Sequence, residues 1–309
     1  MTTTLVTGGA GFIGSHLVRT LLGRGERVRV LDSFVTGRRE NLAGLGADLE
    51  LVEGDLRDPA AVARAVAGVG TVFHLAAFIS VPQSMQDPET CTAVNVGGTV
   101  GLLEAARRSG VRRVVLSSST AVYGDPQAFP TAETAPLDPL SPYAVSKQVD
   151  ELYARLYTRA FGLPVVALRY FNVYGPRQQP DSPYAAAIPI FLSRLLKGEP
   201  ITVFGNGKQS RDFVFVEDVV RANLLAAGSE AAAGEAINVC SGSEISILDL
   251  LDLLGELVPY KSELHFGPPR AGDIYRSLGD PSKAQRLLGF RSAVGLPDGI
   301  QRTYEWMKA

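Results

Sequence analysis

A tyrosine and a lysine, Tyr143 and Lys147, stand four positions apart in the segment SPYAVSK. The segment opens a stretch with helical periodicity, and this spacing puts both side chains on one helical face. An ammonium group beside a phenol favours the phenolate, which can then act as a general base near neutral pH. Because such a pair alone is more often part of a solvated helix face, the prediction of an acid–base site depends on what else the chain brings to it.

Hydroxyl side chains supply the second part of this site. The β-branched stretch Val114–Ser117 runs directly into Ser118, Ser119 and Thr120. Ligands of open α/β sheets collect at the carboxyl ends of the strands, which is where these hydroxyls are expected. A hydroxyl there can hold a substrate oxygen while the phenol takes its proton, so the two segments together predict proton transfer at a substrate hydroxyl.

A glycine-rich turn at the start of the chain predicts the cofactor. The segment TGGAGFIG reads as Gly9-x-Gly11-x-x-Gly14, and equally as glycines at positions 8, 11 and 14. It lies between a predicted strand and a predicted amphipathic helix, whose first N–H groups would face a pyrophosphate. Asp32 ends the next strand, about 20 residues on, where a carboxylate binds the ribose hydroxyls of a dinucleotide. These features predict dinucleotide binding.

Asp32 favours NAD over NADP, because a carboxylate at this position repels a 2′-phosphate. Arg38 and Arg39 follow a few residues later and could in principle favour NADP. Both come after Gly37, and we expect them to point to solvent.

The elements that must position these residues follow from periodicity. Over the first 170 residues, β-branched runs alternate with stretches of helical spacing, which predicts an α/β fold with a doubly wound parallel (Rossmann) sheet. The runs are Thr4–Thr7, Val28–Leu31, Leu49–Glu53, Thr71–His74, Val114–Ser117 and Val165–Leu168, and the helical stretches are Gly14–Arg24, Pro59–Val66, Ala93–Ser109 and Ser141–Phe161.

After Arg169 the alternation breaks at a proline-rich loop. We expect a smaller C-terminal α/β lobe, so that residues 1–170 form the NAD-binding domain, with some later segments returning to it, and residues 171–309 mainly bind substrate. The predicted elements beyond the loop are helices at Ile188–Lys197, after Val216, at Ser246–Leu257 and near Leu296–Met307, with strands at Ile201–Val203 and Ala236–Val239.

Composition excludes several other classes. The 309 residues carry a formal net charge of −2, and 46% are hydrophobic, which argues against a nucleic-acid surface or a disordered chain. No apolar run is long enough to span a membrane. Cys91 and Cys240 are far apart and the three histidines lack metal-ligand spacing, so we expect a cytoplasmic, metal-free protein without disulfides.

The motifs together resemble a known family. TGGAGFIG, HLAA at 74–77, SSSTAVYGD at 117–125, SPYAVSK at 141–147 and RYFNVYGPRQ at 169–178 are similar to those of extended short-chain dehydrogenases. More narrowly, the chain resembles the NAD-dependent epimerase/dehydratase family and its UDP-hexose 4-epimerases. The similarity continues through SRDFVFVEDV (210–219) and RAGDIYRS (270–277), and so covers essentially the whole chain.

The resemblance implies a role for each matching residue. Tyr143 is the base, Lys147 tunes it and binds ribose, and Ser119 holds the substrate hydroxyl. The implied NAD contacts are Gly8, Gly11, Phe12, Ile13, Gly14, Asp32, Ser33, Thr36, Gly37, Asp55, Leu56, Leu75, Ala76, Ala77, Asn95, Tyr143, Lys147 and Tyr170, with Phe171 beside Tyr170. The implied UDP-sugar contacts are Ser119, Tyr143, Asn172, Phe204, Arg211, Arg270, Asp273 and Ser277.

The implied reaction is inversion at C4 of a UDP-sugar through transient oxidation with tightly bound NAD. Related dehydratases and decarboxylases carry carboxylates just before the VYG motif, where this chain has Thr120 and Ala121. This absence favours epimerisation of UDP-glucose and UDP-galactose. A UDP-glucuronate 4-epimerase, a dehydratase or decarboxylase on the same scaffold, and a catalytically silent NAD(P) sensor remain alternatives.

Two finer expectations complete the prediction. The family position that gates the sugar pocket is Ser277 here, and its small side chain predicts room for UDP-GlcNAc and UDP-GalNAc as well. The resemblance also implies a homodimer, in which the helices Ala93–Ser109 and Ser141–Phe161 pair into a bundle.

Overall fold

The computed structural model describes residues 3–180, 187–258, 263–269 and 274–309. Within these ranges the strands are β1 (Thr3–Thr7), β2 (Val28–Asp32), β3 (Leu49–Glu53), β4 (Val69–His74), β5 (Arg113–Ser119), β6 (Val165–Tyr170), β7 (Asn172–Tyr174), β8 (Ile201–Phe204), β9 (Ser210–Arg211), β10 (Phe213–Phe215), β11 (Ala236–Val239), β12 (Ile245–Ser246), β13 (Leu264–Gly267) and β14 (Arg276–Ser277). The α-helices are α1 (Phe12–Gly23), α2 (Pro59–Val66), α3 (Val81–Gln86), α4 (Pro88–Thr92), α5 (Gly98–Arg108), α6 (Pro142–Phe161), α7 (Ala187–Lys197), α8 (Val216–Gly228), α9 (Ile247–Leu257), α10 (Ser282–Leu288) and α11 (Leu296–Lys308).

The central sheet has seven strands in the order β11-β6-β5-β4-β1-β2-β3, and every neighbouring pair is parallel. The strand order reverses at the neighbouring strands β1 and β4, which is where open α/β sheets bind their ligands. The predicted doubly wound parallel sheet is confirmed. Its last strand, β11, comes from the second half of the chain and pairs with β6.

Helices cover both faces of this sheet. One apolar cluster joins α1 and α8 to the sheet, with Leu17 and Val219 buried in it. The other joins α2, α5 and α6, with Leu103 and Ala154 buried there. Because both faces are covered, the central strands are buried on both sides instead of alternating between buried and exposed residues: all six residues of β6 are buried.

Helix α6 carries the predicted catalytic pair, and its ends follow from the sequence. The Ser141 hydroxyl caps it by accepting a hydrogen bond from the Ala144 N–H, Pro142 occupies its first turn, and Gly162 ends it in a left-handed conformation. A buried ion pair between Glu151 of α6 and Arg169 of β6, at 2.6 Å, fixes the helix against the sheet.

The predicted helix Ala93–Ser109 differs in its first turns. Residues Ala93–Gly97 form a π-helical segment, and the regular α5 begins only at Gly98. Asn95 lies in the π-helical segment and is almost completely buried. Such single wide turns are uncommon, and the periodicity of apolar residues does not reveal them.

The C-terminal half adds a third apolar cluster, built from α7, α9, α11 and the strands β8 and β10. The helices and strands predicted here are present. Sequence periodicity missed α10 and the two- to four-residue strands β7, β9, β10, β12, β13 and β14, which are too short to show a repeat. None of the helices in the described ranges is long and apolar enough to cross a membrane.

Candidate active site

The glycine loop after β1 forms one wall of a large cavity. A Cβ added at Gly14 would lie 2.1 Å from the Gly8 carbonyl oxygen, and Gly8 itself has a φ of 69° with the Ala76 backbone against it. Gly11 caps α1 without any side-chain hydrogen bond. The first N–H groups of α1 therefore have no side-chain cap, as an anion-binding helix terminus requires.

Asp32 is oriented by the backbone around it. Its Oδ2 accepts a hydrogen bond from the Ala10 N–H at 2.9 Å, and its Oδ1 accepts one from the Phe34 N–H at 2.8 Å. A Cβ at Gly37 would come within 2.7 Å of Oδ1. Each carboxylate oxygen can still accept a further hydrogen bond, so this arrangement suits a pair of ribose hydroxyls.

The cavity has a volume of about 790 Å³ and runs from the glycine loop to Tyr143 and Lys147. Its shape and donor set fit a dinucleotide: a helix N-terminus for the pyrophosphate, a fixed carboxylate for a ribose, and the phenol and ammonium at the other end. The predicted cofactor residues that line it are Gly8, Gly11, Phe12, Ile13, Gly14, Asp32, Ser33, Thr36, Gly37, Asp55, Leu56, Leu75, Ala76, Ala77, Tyr143, Lys147 and Tyr170.

Asn95 departs from the predicted set, because it does not line this cavity. Its amide accepts a hydrogen bond from the Phe78 N–H at 2.7 Å, and it donates to the Phe78 carbonyl at 3.1 Å and to the Ser146 hydroxyl at 2.8 Å. The Asn95 side chain thus links the segment that follows β4 to helix α6. Phe171, expected beside Tyr170, is buried in the core.

Several lining residues were missed by the sequence reasoning, and Arg38, Asn41, Arg177, Gln178 and Gln179 are the polar ones. Arg38 was expected to point to solvent. It is exposed, but it also contributes to the cavity wall, whereas Arg39 forms an ion pair with Glu53.

Tyr143 and Lys147 reach the cavity from the first turns of α6. The Tyr143 N–H donates to the Ser84 hydroxyl at 3.2 Å, which ties this end of α6 to α3. Lys147 is buried, and its Nζ lies 3.4 Å from Oδ2 of Asp150, one turn further along the helix.

Asp150 is a feature that the sequence reasoning did not single out. The side chains of Lys147 and Asp150 are only 3% and 1% exposed. Burial raises the pKa of the Asp150 carboxyl to about 6, although the Lys147 charge and a hydrogen bond from Thr99 act in the opposite direction. Its Oδ1 has no hydrogen-bond partner among the described residues. Lys147 therefore has a desolvated carboxylate as its counter-charge.

The hydroxyl run at the end of β5 divides between two faces, as alternation along a strand requires. Ser118 is buried and donates to Glu151 at 2.6 Å, so it takes part in the anchoring of α6. Ser117 and Ser118 line the cavity, whereas Ser119, the predicted substrate contact, is not among its described lining residues. Ser119 is half-buried and accepts a hydrogen bond from the Ala121 N–H at 3.2 Å, and among the described residues it donates none, which leaves its proton available to a ligand.

His74 sits at the centre of a buried hydrogen-bond chain beside the cavity. Its Nδ1 lies 2.7 Å from the Thr7 hydroxyl, and its Nε2 lies 2.9 Å from the Thr99 hydroxyl. Burial, assisted by the Lys147 charge, lowers its pKa to about 3, so the ring is neutral. His74 therefore links β1, β4 and α5 and is not arranged as a metal ligand; no metal-binding cluster occurs in the described ranges.

Three of the predicted substrate residues come together away from the glycine loop. Ser277 on β14 pairs in register with Arg211 on β9, and Asn172 donates to the Ser277 hydroxyl at 3.4 Å. Ser277 is buried and Asn172 is half-buried. Phe204 ends β8 in the same lobe. Arg270 and Asp273 lie outside the described residues.

Comparison with known proteins agrees with this geometry. The model of the NAD dependent epimerase/dehydratase family matches residues 4–240. The UDP-glucose 4-epimerase of Mycolicibacterium smegmatis is 43% identical over 309 residues, covering 99% of this chain and 98% of that protein.

Two solved structures are similar over almost the whole chain. The UDP-glucose 4-epimerase of Thermotoga maritima, solved with UDP-glucose, superposes with a TM-score of 0.94 at 38% identity, covering 99% of this chain and 98% of that one. The UDP-N-acetylglucosamine 4-epimerase of Methanobrevibacter ruminantium, solved with UDP-N-acetylmuramic acid, gives a TM-score of 0.95 at 36% identity with the same coverage.

Replacing Asp150 with alanine tests the buried ion pair. The substitution leaves the Lys147 ammonium buried without a counter-charge, so we expect the free energy of unfolding to fall by about 3–5 kcal/mol. Urea unfolding of the NAD-free protein measures this. Asp252→Ala, at an exposed site in the middle of α9, is the control and should change stability by less than about 0.5 kcal/mol. Equal stability of the two variants would contradict the pairing.

Proposed function

The chain belongs to the NAD-dependent epimerase/dehydratase family, and on that premise we propose that it is an NAD-dependent isomerase, a UDP-hexose 4-epimerase that interconverts UDP-glucose and UDP-galactose. The observation that carries the proposal is one cavity that joins the glycine loop and Asp32 to Tyr143 and Lys147.

Each catalytic side chain has a distinct task in this reaction. Tyr143 takes the proton of the C4 hydroxyl as a general base and returns it as a general acid. The buried ammonium of Lys147 stabilises the phenolate of Tyr143, and the Ser119 hydroxyl holds the C4 oxygen. When bound, NAD supplies the acceptor and then the donor of the C4 hydride. No net oxidation results.

The acidic groups of the cavity favour inversion over elimination. Among its described lining residues the only carboxylates are Asp32 and Asp55. Asp32 is held by the backbone at the glycine-loop end, and Asp55 bonds both to the Arg57 N–H and to its guanidinium. Next to Ser119 the chain has Thr120 and Ala121, so these two positions supply no carboxyl group to move a proton at C5 or to assist loss of water.

The small side chain at position 277 supports a permissive sugar pocket. The buried Ser277 hydroxyl lies 3.4 Å from the Asn172 amide, and a serine occupies much less volume than an aromatic side chain. On this basis UDP-GlcNAc and UDP-GalNAc are further substrates. Residues 171–309 are the lobe that mainly binds the UDP-sugar, with Arg211 and Phe204 as contacts of its nucleotide part and Arg270 and Asp273 assigned by family resemblance.

A UDP-glucuronate 4-epimerase is the second candidate. Inversion at C4 of a uronic acid needs the same phenol and the same lack of a neighbouring carboxylate, so the argument from Thr120 and Ala121 supports both substrates. Two described cations lie next to Ser277: Arg211, which pairs with it in register and which we assign to the diphosphate, and Arg276, whose guanidinium forms an ion pair with Glu244.

An apolar stripe on α6 supports a homodimer. Val145, Val149, Leu152 and Leu156 follow one another at helical spacing on one face. Leu152 and Leu156 are 57% and 46% exposed in the single chain, and large exposed apolar side chains in one patch mark an interface. We propose that α5 and α6 pair with the same helices of a second copy.

The two thiols support the cytoplasm as the proposed location. Cys91 and Cys240 are both buried and both unpaired, which is typical of a protein that folds in a reducing compartment.

Tyr143→Phe tests the proposed function. The variant keeps the ring but loses the exchangeable proton, so turnover of UDP-glucose should fall by about 10²–10⁴-fold. The amount of NAD that copurifies should stay the same. Tyr275→Phe, at an exposed position, is the matched control and should retain full activity. Unchanged turnover in Tyr143→Phe would exclude Tyr143 as the base, whereas an unmodified protein that binds NAD but converts no UDP-sugar would favour the NAD(P) sensor.

Ser277→Tyr tests the breadth of the pocket. The added ring should exclude the N-acetyl group, so that UDP-GlcNAc turnover falls by at least about tenfold relative to UDP-glucose turnover. Product sugars are resolved by NMR after incubation with each UDP-sugar. Ser277→Ala should accept both substrates. Failure of the unmodified enzyme to convert UDP-GlcNAc would refute the permissive pocket.

Leu152→Asp combined with Leu156→Asp tests the homodimer. Two charges in the apolar stripe should convert a particle of two chains into one of a single chain, as measured by light scattering after gel filtration. Leu51→Asp, on the edge strand β3, places a charge at an exposed leucine outside the stripe and should leave the dimer intact. A single-chain particle before mutation would show the assignment to be wrong.

A further inference from the structure

A short loop after β7, residues 175–179, folds back onto the start of α1. His16 Nε2 on α1 donates a hydrogen bond to the Pro176 carbonyl at 2.8 Å. The Gln178 side chain donates to the Val173 carbonyl at 3.0 Å, and its backbone N–H bonds to Gly175. These contacts hold the loop beside the uncapped N-terminus of α1, and Arg177, Gln178 and Gln179 form part of the cavity wall there.

Arg177 adopts a backbone conformation that an arginine rarely adopts. Its φ is 68°, in the left-handed region, and among the described residues other than glycine only Phe34 also has a positive φ. Such a conformation is unfavourable for a residue with a Cβ and is typically kept where the side chain serves a site. Here it directs Arg177 to the cavity, and a glycine would hold the same loop without strain.

The positive charge around Arg177 is not balanced by any carboxylate among the residues that the structure describes. Burial and the nearby Arg19 lower the pKa of the Arg177 guanidinium, and burial lowers the pKa of His16 to about 4, so His16 is neutral. The N-terminus of α1 adds the positive end of a helix dipole. A partly buried cation beside a second cation and a helix N-terminus is stabilised further when a ligand brings negative charge.

We propose that Arg177 binds the pyrophosphate of the dinucleotide, as a side-chain partner to the backbone N–H groups of α1. The planar guanidinium offers paired donors to phosphate oxygens. The inference rests on the proposed function only for the identity of the cofactor. A UDP-sugar also carries a diphosphate, but the residues that share this wall with Arg177 are Gly11, Phe12 and Ile13 of the glycine loop, which favours the dinucleotide.

Arg177→Gly is the sharpest test, because it removes the side chain and relieves the backbone. The NAD-free protein is titrated calorimetrically with NAD, ADP and UDP, and with adenosine by ligand-observed NMR. We expect the affinities for NAD and ADP to fall at least tenfold, and those for adenosine and UDP to stay within twofold. The thermal midpoint of the NAD-free variant should equal or exceed that of the unmodified protein.

Arg177→Gln repeats the measurement without a change in backbone preference, and Arg64→Gln, on the exposed face of α2, is the control for lost charge. The proposal is overturned if NAD and ADP bind as before, if adenosine weakens in step with ADP, or if only UDP weakens. A protein that binds no NAD before mutation would overturn the proposed function instead. Conversion of UDP-glucose with normal NAD affinity in both Arg177 variants would overturn this inference alone.

Discussion

The buried ion pair between Glu151 and Arg169 positions the chemistry of this protein. Both side chains are nearly inaccessible, at 6% and 4% exposure, and their 2.6 Å contact joins α6 to the central strand β6. Ser118 donates to the same carboxylate, and the Tyr123 hydroxyl accepts from Arg169. A desolvated pair needs such complete hydrogen bonding to be stable. With α6 fixed in this way, the phenol and ammonium on its first turns stand over the end of β5.

Two cations near the same edge of the sheet, Lys147 and Arg177, have their positive charges balanced in different ways. Lys147 is buried beside a protein carboxylate, Asp150, so its charge is balanced within the chain. Arg177 is partly buried, and no carboxylate of the described residues pairs with it. In the proposed complex, the negative charge that balances its guanidinium comes from the ligand. In the proposed function, the Lys147 cation is therefore balanced with or without a cofactor, whereas the Arg177 cation is balanced when the dinucleotide binds.

The sequence allowed most of the sheet and the cofactor cavity to be predicted, because both depend on local patterns. Glycines 8, 11 and 14 follow from the turn they must form, and Asp32 follows from its place at the end of β2. Asp150 and Arg177 could not be found this way. Asp150 looks like an ordinary polar residue on a helix until its burial is known. Arg177 reaches the cavity only because its loop folds back onto α1. The inward turn of Asn95 likewise depends on a π-helical segment that no periodicity reveals.

The fate of the hydrogen at C4 tests the central claim most directly. UDP-glucose carrying deuterium at C4 is incubated with the purified protein without added NAD, and the products are examined by NMR. Inversion within one closed site predicts UDP-galactose that keeps its deuterium at C4. Deuterium found at C6, or left on the reduced cofactor beside a released 4-keto sugar, would contradict the account and point to elimination or to release of an oxidised sugar.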